Sequence, residues 1–291
     1  MATIVTESIT NKTEKKIDPR NQLNDLTGTE WIQETCSVFY QKGLGLAHKE
    51  TKYEIQHPAP FSFQDVGRLI RFFTKKNDVV LDPFCGVAST LKACAILKRI
   101  GIGIELNEKW AALGKKRLDE EVQDSSKQKI LVGDSREVLA KIPTNSISYI
   151  VTSPPYWNIL TKTNNMNKNK ERVKSGLELQ YGDKKNDLGN ITEYSEFLNQ
   201  LRICFEQCYR VLLDRHYFSI IVSDFRNKSE LVPFHSHVID SCRSIGFDLQ
   251  GITILVQRSK KLYPYGYPYA YVPNIHHQYL ITFRKSSRIK K

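Results

Sequence analysis

From about residue 78 the chain alternates short β-branched runs with helix-forming stretches, and that order leaves few folds open. Val79-Val80-Leu81, Ile102-Gly103-Ile104, Ile130-Leu131-Val132 and Ile147 to Val151 read as four strands. Between the first two lies a small-residue helix, Ser89 to Leu97. Asn107 suits the N-cap of a second helix, which carries Trp110, Leu113 and Leu118. Strands separated by helices predict a doubly wound α/β sheet with mostly parallel neighbours. Downstream, a helix near 191–212, a strand Tyr217 to Val222, a helix near 232–244, a strand Gly251 to Val256 and a last strand Tyr279 to Phe283 complete seven strands. The final pair is expected to be an antiparallel hairpin. The prolines within Leu262 to Tyr269 exclude regular structure between those two strands.

The 291 residues suit one large α/β domain. We place it over residues 51–285, behind a partly flexible extension 1–50 and before a basic tail 286–291. Residues 158–190, rich in Asn, Lys and Gly, form an insertion too long for an ordinary connection. No run approaches the roughly 20 apolar residues of a membrane span. The leader lacks the apolar core of a secretory signal, so a cytoplasmic protein is expected. The six cysteines are scattered without CxxC or zinc-type spacing, and no metal or disulfide is expected. Cys204 and Cys208, four apart, share a helix face and suit the core. Lys and Arg number 43 against 31 Asp and Glu, a surplus that favours a polyanionic partner.

Open α/β sheets bind ligands beyond the carboxyl ends of their strands. There the first strand runs into Asp82-Pro83-Phe84-Cys85-Gly86-Val87-Ala88-Ser89-Thr90, where Gly86 lets backbone approach a ligand closely. Glu105 ends the second strand, 23 residues beyond Asp82, where an acidic side chain can grip ribose hydroxyls. Asp134, with Ser135 beside it, ends the third, where a carboxylate can accept from an adenine amino group. The turn lacks the G-x-G-x-x-G spacing that pyrophosphate binding needs. An acidic, phosphate-free site suits a cationic nucleoside such as S-adenosyl-L-methionine.

The fourth strand ends at Ser153-Pro154-Pro155-Tyr156. Two prolines remove N–H donors, so the loop offers oxygens to an incoming NH₂ group without competing for it. Ser153 and the Pro154 carbonyl can hold such a group, and Tyr156 can stack on a base, a contact worth ~1–3 kcal/mol. Methyl transfer to that nitrogen depends mainly on positioning. A base inside a duplex must be flipped out or already single-stranded to reach the loop.

These segments resemble the amino-group DNA methyltransferases, the N4-cytosine and N6-adenine enzymes, over roughly residues 50–285. DPFCGVAST at 82–90 is similar to that family's DPFCGSGTT, with Ala88 in place of the second glycine. His57-Pro58-Ala59-Pro60-Phe61 resembles the segment that lies against the methionine end of the cofactor, and Asn274 to Tyr279 resembles an NxxHEY stretch. SPPY matches the family's (D/N/S)PP(Y/F/W) tetrapeptide, its serine form being nearer the cytosine enzymes. The resemblance implies a Rossmann-like methyltransferase fold and S-adenosyl-L-methionine held by His57, Pro58, Asp82, Pro83, Phe84, Gly86, Glu105, Asp134 and Ser135. It further implies DNA as substrate in a restriction–modification setting. N6-adenine, an RNA base, or a non-catalytic nucleic-acid-binding subunit remain the alternatives.

The order of motifs, cofactor before catalysis, is the reverse of many serine-type relatives. With no large recognition domain left over, target choice falls to the extension, the insertion, the tyrosine tract or a specificity partner. Lys162, Lys168, Lys170, Arg172 and Lys174 in the insertion can neutralise phosphates without reading sequence. Tyr265 and Tyr267 can stack on bases; the same tract would also serve as packing aromatics.

Overall fold

The computed structural model describes residues 16–41, 52–57, 62–158, 186–258 and 260–286. Pro58 and the insertion residues Lys162, Lys168, Lys170, Arg172 and Lys174 lie outside the described residues. The elements, in chain order, are α1 (Gly28–Glu34), β1 (Val38–Tyr40), α2 (Phe63–Phe73), β2 (Val79–Asp82), α3 (Ser89–Ile96), β3 (Ile100–Glu105), α4 (Glu108–Glu121), β4 (Gln128–Val132), α5 (Ser135–Val138), β5 (Ile147–Thr152), α6 (Tyr194–Val211), β6 (Leu212–Val222), β7 (Phe225–Asn227), β8 (Glu230–Val232), α7 (Phe234–Ile245), β9 (Phe247–Val256) and β10 (His277–Lys285).

The main sheet has eight strands in the order β1-β9-β10-β6-β5-β2-β3-β4. The seven strands read from the sequence are all present, and β10 is antiparallel to both β6 and β9, as the terminal hairpin requires. The other pairings in the sheet are parallel. The order reverses direction at β2 and β5, the crevice where such sheets bind ligands. β5 lies between β2 and β6, and all six of its residues are buried, which is why Ile147, Tyr149, Ile150 and Val151 do not alternate with exposed polar residues.

Helices cover both faces. α6 buries Phe197, Leu201, Cys204, Phe205, Cys208 and Val211, one helical stripe that packs with Phe218, Phe234 and Phe283. The two cysteines thus occupy the core face predicted for them. On the other face, α2 starts at the Ser62 cap and buries Val66, Leu69 and Ile70 against Val80, Tyr149 and Val151. No helix among the described residues is long and apolar enough to cross a membrane.

Two features differ from the sequence reading. An eighth strand, β1, pairs with β9 at the sheet edge, Val38 opposite Ile254. It has three residues, two of them exposed, so no burial pattern marks it. The preceding segment is held to the domain as well: α1 opens on a Thr27–Glu30 capping box, and its Glu34 and Glu30 form ion pairs with Arg68 and Arg71 of α2. The strands β6 and β9 also begin earlier than expected, at Leu212 and Phe247. Their first residues include exposed Asp214, Arg215, Asp248 and Gln250, polar side chains that hide the extension from a hydrophobicity reading.

Candidate active site

Asp82 closes β2 with its side chain fully buried. One carboxylate oxygen accepts from the Phe84 N–H (3.1 Å) and the Thr152 hydroxyl (2.7 Å), and the other from the Thr90 hydroxyl (2.5 Å). A single carboxylate therefore clamps the turn after β2 to the start of α3 and to the last residue of β5. Burial pushes its acid up to about 6. The sequence reading gave Asp82 a direct hold on the cofactor. In the structure Asp82 is not among the residues lining the cavity beyond the turn, and its carboxylate accepts from three donors of the turn, α3 and β5.

That cavity lies at the carboxyl ends of β2, β3, β4 and β5. Pro83, Phe84, Gly86, Glu105, Asp134, Ser135 and His57 all line it, as do Ser153, Pro154, Pro155 and Tyr156. Two segments read separately from the sequence therefore share one space. Gly86 has φ +49, and a Cβ there would come within 3.1 Å of His57 Nε2, so glycine suits both the backbone conformation and the close approach of that ring. His57 in turn sits edge-on to buried Trp110, with ring centroids 5.2 Å apart.

Glu105 accepts from the Gly86 N–H (2.9 Å) and the Asn107 N–H (2.8 Å). Burial raises its acid to about 7 in spite of those two donors. Asp134 differs from expectation. It caps α5, accepting the Arg136 N–H at 3.0 Å, and ion-pairs with the Arg136 guanidinium at 2.5 Å. Asn186 donates to it as well, at 3.1 Å. Burial alone would raise its acid, but the Arg136 contacts hold it below the ordinary value. Its acceptors are thus already engaged, a limit on any contact with an adenine amino group. The Ser135 hydroxyl donates to the Pro83 carbonyl and pins α5 to the turn.

At the other wall, Tyr156 accepts a hydrogen bond from Gln278 Nε2 (3.1 Å), and its ring stands edge-on to Phe234 at 6.0 Å. Burial raises its phenol, so the hydroxyl stays protonated. Gln278 lies 122 residues away in sequence, and spacing alone does not connect the two. Trp110 and Asp187 are further lining residues that the sequence reading gave no site role; Trp110 read as helix packing. Tyr265 and Tyr267 lie outside the cavity, 40% and 81% exposed in the tract between β9 and β10.

The described lining carries three carboxylates, Glu105, Asp134 and Asp187, and neither lysine nor arginine. That donor set fits a cationic nucleoside and opposes a pyrophosphate. A doubly wound sheet with an acidic cavity at its strand ends is a Rossmann-like arrangement whose lining suits S-adenosyl-L-methionine.

Comparison with known proteins narrows the class. Residues 4–116, which hold the cofactor turn and Glu105, match the family model described as DNA methylase, the N6/N4 methyltransferases. The type II methyltransferase M.MjaI of Methanocaldococcus jannaschii is 29% identical over 175 residues, 55% of this chain and 56% of the relative. M.HpaI of Haemophilus parainfluenzae is 41% identical over 54 residues, 19% of this chain and 17% of the relative. A DNA modification methylase of Thermus thermophilus, crystallised with S-adenosyl-L-methionine, is 24% identical, covering 55% of this chain and 56% of that one, with a TM-score of 0.37. The chain spans about half the length of M.MjaI and less of M.HpaI. The family model covers 113 of the 291 residues, so the likeness to the amino-group DNA methyltransferases is a likeness of part of the chain.

Proposed function

We propose that this chain transfers a methyl group from S-adenosyl-L-methionine to an exocyclic amino group of a DNA base, cytosine N4 in the first instance. The observation that carries the reading is the shared cavity: the Ser153–Tyr156 loop and the acidic strand ends face one space, and Asp82 ties their backbones together through Thr152. We assign residues 51–285 to the methyltransferase domain, with an insertion at 158–190, and place the protein in the cytoplasm.

When bound, the cofactor supplies an electrophilic methyl on a sulfonium. Glu105 would accept from the ribose hydroxyls, while His57, Phe84 and Gly86 would border the methionine side. Ser153 and the Pro154 carbonyl accept from the amino group, which turns its lone pair toward the methyl carbon. The amino nitrogen so held would be placed to receive the methyl and to pass its extra proton to water. No strong base is needed, since that nitrogen becomes acidic once it carries positive charge. Tyr156, held by Gln278, offers a fixed ring to the extruded base. We assign phosphate contacts to the basic residues of the insertion and base stacking to Tyr265 and Tyr267, and a specificity subunit or cognate restriction endonuclease is a fitting partner.

Ser153→Ala should lower kcat about tenfold, the worth of one hydrogen bond made to the reacting group, with the affinity for S-adenosyl-L-methionine within about twofold of wild type. Equal loss of both in single-turnover assays and calorimetry would contradict the role given to Ser153. The defining experiment is tritiated methyl transfer to unmodified duplex DNA, followed by nucleoside digestion and mass spectrometry. N4-methylcytosine is the expected product. N6-methyladenine would move the target to adenine, label in RNA alone would move the substrate, and cofactor binding without transfer to either would favour a binding subunit.

A further inference from the structure

Ala88 enters α3 with φ 62 and ψ 35. In this left-handed conformation the Cβ of an L-residue crowds the backbone, whereas glycine adopts it freely. Ala88 is fully buried, and its methyl is received by Gly114 of α4. A Cβ at Gly114 would lie 3.1 Å from the Ala88 Cβ and 3.3 Å from the Val87 carbonyl carbon. The helix is hollow at the point where the turn's methyl projects.

Three residues on, the same helix face carries Arg117, whose side chain is fully buried. Its Nη1 donates to the Val87 carbonyl (3.1 Å) and to the Ser89 hydroxyl (2.9 Å), the two neighbours of Ala88. Its Nη2 reaches Glu54 (2.6 Å) and its Nε reaches Glu121 (2.9 Å). Glu54 belongs to the short segment that carries His57 into the cavity. A guanidinium is costly to bury and persists where its whole fork is used. Here the fork spans a strained residue, and surroundings that over-determine such a residue are what keep it in place.

We propose that Arg117, with Gly114 opposite the Ala88 methyl, is a positioning residue for the cofactor: it holds Val87 and Ser89 on either side of Ala88 and so keeps the turn in its left-handed shape. Both held residues line the cavity. The proposal rests on the reading of that cavity as the S-adenosyl-L-methionine site. Lysine at position 117 keeps a charge for Glu54 and Glu121 but loses the fork. Glycine at position 88 needs no fork.

The test compares wild type, Arg117→Lys, Ala88→Gly and the double variant, each checked for folding by circular dichroism. Amide exchange across residues 85–92 is followed by NMR without ligand, and S-adenosyl-L-methionine affinity by calorimetry. Arg117→Lys should speed exchange of the Lys92 amide, which is bonded to the Ala88 carbonyl. It should weaken binding about tenfold, as expected for a lost charged hydrogen-bond pair. Ala88→Gly alone should change affinity less than about threefold, and the double variant should return to within about threefold of wild type. Wild-type exchange and affinity in Arg117→Lys, or a double variant as weak as Arg117→Lys, overturns the proposal. If Arg117→Lys does not fold, Gly114→Ala takes its place, since its methyl would press on Ala88. The same loss and the same rescue by Ala88→Gly are expected, and absence of rescue overturns the idea. A wild-type protein that binds no S-adenosyl-L-methionine removes the cofactor reading, while the exchange measurements still decide what holds the turn.

Discussion

Asp82→Ala should abolish detectable binding of S-adenosyl-L-methionine and lower unfolding free energy by about 3 kcal/mol, the cost of leaving buried donors without their acceptor. The carboxylate satisfies the Phe84 N–H and the hydroxyls of Thr90 and Thr152, and alanine leaves all three facing an apolar void. Asp82→Asn separates shape from charge. Its amide keeps one acceptor oxygen, and both threonine hydroxyls can rotate to accept instead of donate, so stability should stay near that of wild type while binding weakens. The pH dependence has a definite sign. Burial raises the Asp82 acid from 3.8 to about 6, so the native state holds the proton more tightly than the unfolded chain. The stability contribution therefore falls as pH rises from about 4 to 6, and Asp82→Asn should lose that slope. Thermal unfolding at pH 4, 5, 6 and 7, with calorimetry for binding, measures each part. Normal cofactor affinity in Asp82→Ala would remove this carboxylate from any role in shaping the turn.

The contrast between Asp82 and Glu105 shows how far the sequence reaches. Both are acidic residues at strand ends, and the alternation of strand and helix places both at the ligand edge. Side-chain direction decides their roles. Asp82 turns under its own loop to meet Thr152 on the neighbouring strand, a contact between residues 70 apart that no local spacing reveals. Glu105 reaches back to the Gly86 N–H and borders the cavity. Asp134 is a third outcome: the Arg two residues on claims its acceptors, a competition visible as Asp-Ser-Arg in the sequence once the cap geometry is known.

Buried strands and amphipathic helices were legible because burial imposes their pattern. β2, β3 and β5, and α6 with its stripe from Phe197 to Val211, follow directly from it. β1 was not, since an edge strand of three residues with its side chains mostly in water has no pattern to show. The same reasoning explains Gln278, whose hold on Tyr156 depends on β10 passing beside the end of β6, and Arg117, whose burial depends on partners 28 to 63 residues away. Long-range polar contacts arise from the assembled sheet, so they become visible only with it.

Affinity for S-adenosyl-L-methionine should fall about tenfold for each pH unit below about 7, near a hundredfold between pH 8 and pH 5, because a proton on Glu105 competes with the cationic ligand. Burial sets the Glu105 acid at about 7 without ligand, and the neighbouring charges of Asp187 and Asp82 add to the rise. Both Glu105 oxygens already accept backbone N–H groups, and a protonated carboxyl must give up part of that arrangement as well. The ligand selects the ionised form, so binding at pH 6 should release ~0.9 proton, and at pH 8 only ~0.1. Calorimetry in buffers of different ionisation enthalpy reads that number directly. The unliganded protein shows the opposite trend in stability. The folded acid lies above its unfolded value of 4.5, so native stability declines as pH rises from about 4.5 to 7. Ligand should cancel that decline by stabilising the carboxylate. Glu105→Gln should bind more weakly at every pH and lose most of the proton release above pH 6, leaving a shallower slope below it from Asp82. An unchanged pH profile in Glu105→Gln would assign the titration to another group of the site and take the ribose contact away from Glu105.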